Sequence, residues 1–171
     1  MKRAMVLGVI ALVGCATPYQ RDGFTGGYTE TRLTQNTWRV NFQGNGFTRS
    51  SVTQDYALLR SAELTLQQGY RYFALADSRS KVDTAAMTMP STSQTNFNAT
   101  RYGNTVSGTA TTQNYGGGMM FVSFPSATNI VVMFPERVRL TNGTALWDAQ
   151  EICDNLGRSY EVVCSPSSIR N

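Results

Sequence analysis

Histidine is missing altogether from the 171 residues. The most versatile general acid–base and the commonest metal ligand are therefore absent, which excludes Ser–His–Asp and Cys–His catalysis and most zinc sites. Lysine is nearly missing too, with only Lys2 and Lys81. The three cysteines form no CxxC pair, and no EF-hand or P-loop pattern occurs. No metal or other cofactor is expected from such a chain. No apolar run approaches the roughly 20 residues needed to span a bilayer as a helix. What is plentiful is apolar side chain, at 41% of residues, enough to build a core and exclude global disorder. The length suits one domain of about 100–200 residues.

The first fifteen residues have their own pattern. Lys2 and Arg3 precede the apolar run Ala4–Val13, which has the length of a signal-peptide h-region. The run closes in Leu12-Val13-Gly14-Cys15. This resembles the lipobox of bacterial lipoproteins. The resemblance implies cleavage before Cys15, diacylglycerol on its thiol, and acylation (palmitate) of the new amino terminus. An ordinary secretory signal and a buried N-terminal strand are the alternatives. Ala16 follows the cysteine, not the aspartate that retains enteric lipoproteins in the inner membrane, so the resemblance implies the periplasmic face of the outer membrane. Loss of Lys2 and Arg3 leaves 13 basic residues against 11 acidic ones, a net charge near +2. The remaining cations are scattered, so no nucleic-acid partner is expected.

With Cys15 assigned to lipid, Cys153 and Cys164 can pair in only one way. Export would place them in an oxidising compartment, and a disulfide is expected. Two buried free thiols are the alternative, since Cys153 sits on an apolar helical face.

Residues 16–27 hold three glycines and a proline, and read as a flexible tether of about 20 Å root-mean-square span. Strands are predicted at Tyr28–Leu33 and Thr37–Phe42, with a turn at 34–36. In the second, Trp38, Val40 and Phe42 alternate with Arg39 and Asn41. Gly44-Asn45-Gly46 ends that strand. It lacks the lysine and third glycine of a phosphate loop. A helix follows: Ser51 and Gln54 fit a capping box, Val52, Tyr56, Leu59, Ala62 and Leu66 make one apolar stripe, and Gly69 suits the C′ position. A strand at Tyr70–Ala76 comes next.

The segments ATPYQ (16–20), GGYTETRL (26–33), WRVNFQGNGFT (38–48) and DYALLRSAELTLQQGY (55–70) resemble a family of short proteobacterial envelope lipoproteins. The resemblance is good over about residues 12–77 and weaker beyond. It implies an envelope lipoprotein and brings no activity with it.

Composition changes at 78–118, a polar low-complexity insertion. Of residues 91–118, 21 are Ser, Thr, Asn, Gln or Gly, and only Arg101 is charged. Threonine favours extended structure. An exposed hairpin turning at Tyr102-Gly103-Asn104 and a mobile loop both fit, with Gly116-Gly117-Gly118 as a hinge. Beyond it, Met119–Phe124 and Asn129–Phe134 read as two strands buried on both faces, separated by a turn at Pro125-Ser126. A second helix is expected from an N-cap at Thr144, with a stripe of Ala145, Ala149, Ile152 and Leu156, stopped by Gly157. Tyr160–Cys164 reads as a last strand. The count implies an α+β fold: a mostly antiparallel sheet of about five to seven strands with two amphipathic helices on one face. The expected organisation is signal peptide 1–14, lipidated tether 15–27 and one domain over 28–171.

Catalytic residues are not expected. Glu136, Asp148, Glu151 and Asp154 cluster in sequence, but Asp148 and Glu151 fall on the outer face of the last helix. Asp77 has no partner acid nearby. Lys81 with Ser78 or Ser80 matches no Ser–Lys motif. Tyr102 and Tyr115 are the candidates for stacking on sugars. The expected function is that of a membrane-anchored, non-catalytic envelope component with a protein partner. A small-ligand or glycan-binding periplasmic module is the alternative. Residues 78–118 are the expected contact surface, because loops beyond about 12–15 residues are usually functional or disordered.

Overall fold

The alternation in Thr37–Phe42 builds an inner strand of the sheet. In a computed structural model that describes residues 16–140 and 143–164, β1 (Gly27–Arg32) and β2 (Thr37–Gln43) form an antiparallel hairpin, and β2 pairs in turn with β6 (Met119–Phe134). The register sets rows across three strands: Tyr28–Phe42–Ala127, Glu30–Val40–Asn129 and Arg32–Trp38–Val131. Because side chains alternate along a strand, these rows share one face. On it Phe42, Val40, Val131 and Met133 are fully buried. β3 (Tyr72–Thr88) and the short β7 (Leu146–Asp148) complete the order β1-β2-β6-β3-β7. The fold is α+β with a five-stranded antiparallel sheet and a separate two-stranded one, β4 (Ser91–Tyr102) with β5 (Thr105–Gly116).

The helix α1 (Ser50–Gln67) lies on the buried rows, and α2 (Ala149–Tyr160) packs against α1. From Tyr56 to Thr65 nearly every side chain of α1 is buried, not only the stripe that the spacing predicts. The cause is tertiary: sheet, α2 and the residues before β1 each cover a side of it. Ser61 and Thr65 fit such a site by donating their hydroxyls to the carbonyls of Ala57 and Ser61, both at 2.7 Å. Gly69 takes φ +80° just past the helix end, as its position implies. The capping box does not form. Arg49 is the N-cap residue, and no side chain caps that end.

Other expectations are corrected by partners distant in sequence. Residues 16–26 are not a free tether. Thr17 is 2% exposed, and Tyr28 N–H donates to Gln20 O at 2.8 Å, so residues 20–22 cover the outer edge of β1. β6 is one unbroken strand through Pro125-Ser126, where no turn forms. Pro125 sits just past the end of β2 and accepts from Gly44 N–H at 2.8 Å, so its missing donor breaks no β2–β6 rung. Nor is β6 buried on both faces: Met119–Phe121 are exposed, and from Pro125 onward buried and half-buried residues alternate. β3 runs on to Thr88, so Asp77, Ser78 and Ser80 lie in a strand and not at a loop.

At the C-terminal side, residues 146–148 pair with β3 (Tyr72↔Asp148, Ala74↔Leu146) in place of starting a helix at Thr144. Asp148 is the N-cap of α2 and accepts from Gln150 N–H at 3.0 Å. Gly157 does not stop α2, which runs on to Tyr160 and ends on Glu161 at φ +55°. Gly157 instead permits a close approach: a Cβ there would stand 2.6 Å from Val162 O, and Val162 N–H returns to Gly157 O at 2.8 Å. The chain therefore folds back over α2 without forming the expected strand at 160–164. That return brings Cys164 to Cys153, which are bonded with Cα atoms 5.9 Å apart. Closing this loop stabilises by about 2–3 kcal/mol in the chain-entropy model.

The chain divides into two compact units: Asp83–Ser123 form the second, and the segments that flank it in sequence form the first. Within the second, Ser91–Tyr102 pair with Thr105–Gly116 at twelve successive positions. Gly103 at φ +60° followed by Asn104 is the glycine-first arrangement of a two-residue hairpin turn. Gly116–Gly118 are not a loose hinge. All three have positive φ, and the amides of Gly117 and Met89 bond to Pro90 O and Gly118 O at 3.2 and 2.9 Å.

Candidate functional site

Three places carry polar or exposed groups of note. The first is buried. Arg60 and Glu63, three apart on α1, are 6% and 7% exposed. The Arg60 guanidinium donates to Glu30 of β1 and to Glu63, reaches Gln67 Oε1 at 3.2 Å, and lies 4.4 Å over the Tyr28 ring. Glu63 also accepts from the Tyr19 hydroxyl at 2.7 Å. Burial alone would lower the Arg60 pKa, but the hydrogen bonds and charges of Glu30 and Glu63 outweigh it and hold Arg60 above its ordinary value. Burial first, then the Glu63 carboxylate, push the Tyr19 phenol well up. One permanently charged cation thus bridges the two carboxylates. The arrangement fastens α1 to β1 and to the chain entering at Tyr19. Sequence reasoning missed it, because Arg60 and Glu63 lie off the expected stripe; their i,i+3 spacing was the available signal.

The second is a cleft of about 340 Å³ lined by Asp55, Leu58, Leu75, Ser78, Arg79, Asn129 and Trp147, among others. Its polar groups answer one another. Ser78 donates to Asn129 Oδ1 at 2.8 Å, Arg79 pairs with Asp77 at 2.8 Å, and Asp55 accepts from the Tyr160 hydroxyl. That last bond, helped by partial burial, pushes the Tyr160 pKa up to about 12. A raised folded-state pKa means stability fully present below the unfolded value near 10 and lost as pH rises through about 12. Alkaline titration followed by phenolate absorbance should show a tyrosine step near 12, ahead of the still later Tyr19, and Tyr160→Phe should remove that step. The same variant should lose less stability than the parent between those two pH values. An unchanged late transition in Tyr160→Phe would refute the assignment.

The third is the β4–β5 hairpin. Every residue from 78 to 121 is exposed. Arg101–Val106, Ala99–Gly108 and Phe97–Ala110 make one partly apolar face, with Phe97 lying over Gly108, where a Cβ would meet its ring at 2.8 Å. The opposite face carries Thr100–Ser107, Asn98–Thr109, Asn96–Thr111 and Gln94–Gln113. In a two-stranded sheet each strand also keeps one edge without a neighbour among the described residues.

The sequence candidates fall as follows. Tyr102 and Tyr115 share the polar face but pair with Thr105 and Thr92, ten rungs apart, so roughly 33 Å separates them. One sugar ring cannot stack on both. Asp148 pairs with Arg71 at 3.1 Å, and Asp154 accepts from Gln150 at 2.9 Å; Glu136 and Glu151 are exposed. Gly44-Asn45-Gly46 leads into a tight turn that Thr48 N–H closes on Asn45 O at 3.0 Å, and a Cβ on Gly44 would lie 2.8 Å from Thr48 Cβ. Cys15 lies outside the described residues. Among the described residues, no three Cys, Asp or Glu side chains converge as a metal site, and no helix is long and apolar enough to cross a membrane. No family model, curated protein or solved structure matches the chain.

Proposed function

We propose that the chain is a bacterial envelope lipoprotein, acylated at Cys15 and anchored at the periplasmic face of the outer membrane. Its task is to hold another envelope protein through the β4–β5 hairpin. One observation carries the hairpin's role: twelve successive backbone pairs form without one buried residue. A two-stranded hairpin alone in water is at best marginally stable and gains most when another surface covers it. Phe97 and Val106, 67% and 65% exposed, stand on one face, and both edges are open to strand addition. With Arg101 the only charge between 91 and 118, little electrostatic penalty opposes burial. The glycan-binding alternative draws no support from the separated tyrosines. The anchor rests on the lipobox resemblance.

Replacing residues 91–116 by a short Gly-Ser linker leaves Gly117 and Gly118 to keep their bonds to Met89 and Pro90. The first unit should still fold, since both helices and the five-stranded sheet's core lie outside the deletion. Proteins crosslinked to the chain in intact cells should then disappear. An unchanged crosslinking pattern in folded, membrane-attached variant protein would remove the hairpin as the contact surface. Labelling with a palmitate analogue checks the anchor: label persisting in Cys15→Ala would defeat it.

A further inference from the structure

The chain enters the fold one residue after Cys15. Ala16 is exposed, and Thr17 is already fixed. Its amide donates to Thr48 Oγ1 at 2.9 Å, its hydroxyl donates to Thr25 O at 2.6 Å, and it accepts from Asn45 N–H at 2.8 Å. Thr48 in turn donates to Asn45 Oδ1 at 3.0 Å, and Gly26 packs on Thr17 Cγ2. This socket joins the turn after β2 to the turn before β1. Two Cα steps of about 3.8 Å separate Cys15 from it, too short a distance to let the domain swing free of whatever holds Cys15.

Two residues beside that socket in sequence carry aromatic rings that no described residue covers. Phe24, next to Thr25, is 106% exposed, and Phe47, next to Thr48, is 74% exposed. Phe24 lines a shallow depression with Gly44, Asn45 and Phe124, and the Phe47 amide donates to Asn45 Oδ1 at 3.0 Å. Both residues therefore adjoin Asn45, the partner of Thr17. Arg21 and Arg49, also exposed, lie three residues before Phe24 and two after Phe47, and Asp22 adjoins Arg21. Apolar rings rimmed by arginine are the chemistry of a surface that rests in the headgroup region, with the rings in the acyl boundary and the cations on lipid phosphates.

We infer that the patch formed by Phe24 and Phe47 lies against the lipid surface and inserts both rings into it. This fixes the domain's orientation on the membrane. The inference rests on the reading of Cys15 as the anchor. The lipid chains hold the protein at the surface, and the short link to Thr17 presents this face and no other. An isolated pair of rings would bind weakly, but an anchor two residues away supplies a high effective concentration.

The test bypasses cellular acylation. With Cys153 and Cys164 bonded to each other, Cys15 is the one free thiol of the chain from Cys15 onward. That chain is coupled through Cys15 to a maleimide-bearing phospholipid in vesicles of phosphatidylethanolamine and phosphatidylglycerol. Phe24→Trp and Phe47→Trp report contact through quenching by brominated acyl chains, against the parent's Trp38 and Trp147 as background. Leu33→Trp, just past the end of β1 opposite Gly26, is the control. Emission at positions 24 and 47 should shift to the blue on coupling and fall several-fold with brominated lipid, while position 33 should be unaffected. No quenching at 24 and 47 in protein that floats with the vesicles overturns the inference, and so does equal quenching at all three. Mass analysis of Cys15 from cells decides the anchor separately. An unacylated cysteine there would sink the proposed anchoring, whereas the quenching result alone decides whether the patch enters lipid.

Discussion

Arg60→Met should destabilise the protein by about 3–5 kcal/mol, the usual cost of removing one partner from a buried charge group. Methionine fills much of the same space, so a cavity contributes little. The loss is electrostatic: Glu30 and Glu63, both nearly covered, would lose the cation that bridges them. No pH shift can mimic the change, because Arg60 stays protonated above its ordinary range. Glu30→Gln should cost less, since Arg60 keeps Glu63, Gln67 and the Tyr28 ring. Replacing Glu30, Arg60 and Glu63 together by apolar residues of similar volume should recover most of the loss, because buried ion groups seldom outperform well-packed apolar ones. Urea unfolding of the three variants measures this. A second readout is local. Tyr19 is held by Glu63, so Arg60→Met should also loosen the segment around it and raise protease cleavage at 20–26. If Arg60→Met unfolds within about 1 kcal/mol of the parent, the network is not a structural fastening.

Phe73→Ala should cost about 3–5 kcal/mol, whereas Phe97→Ala should cost almost nothing in the isolated protein. The two residues are chemically identical, and both sit in strands. Phe73 is fully buried on β3 in the cluster with Leu59, Ala62, Val131 and Met133, so truncation leaves a cavity where sheet and helices meet. Phe97 is 67% exposed and lies over Gly108 of the facing strand. If the hairpin binds a partner, Phe97→Ala should instead weaken crosslinking in cells. Equal destabilisation by both substitutions would mean that Phe97 is covered within the folded chain. That result would undercut the reading of the hairpin as a contact surface.

Short-range pattern determined much of this fold. The hairpin β1–β2 follows from alternation about Trp38, Val40 and Phe42, and the register places Val40 and Phe42 in the core. The helix before Gly69 follows from spacings of three and four, and its end from a glycine able to take positive φ. Gly103-Asn104 marked a turn, and threonine-rich sequence marked extended chain, although composition left hairpin and loop undecided. The Cys153–Cys164 bond was legible by elimination once Cys15 was set aside.

What tertiary structure alone decided has a common cause: each case depends on a neighbour far away in sequence. Residues 146–148 make a strand because β3 offers them an edge; alone they read as the start of a helix. Pro125 stays within a strand because β2 ends where it would have needed an amide. Arg60 and Glu63 are buried because β1 brings Glu30 and Tyr28 over a helix face that would otherwise meet water. Residues 16–26 look like a linker by composition, since glycine and proline favour turns. They are held because Thr17 and Tyr19 find Thr48, Asn45 and Glu63, between 28 and 44 residues further on. Local propensity amounts to at most about 1 kcal/mol per residue, and a buried hydrogen bond or ring outweighs it wherever the fold supplies the partner.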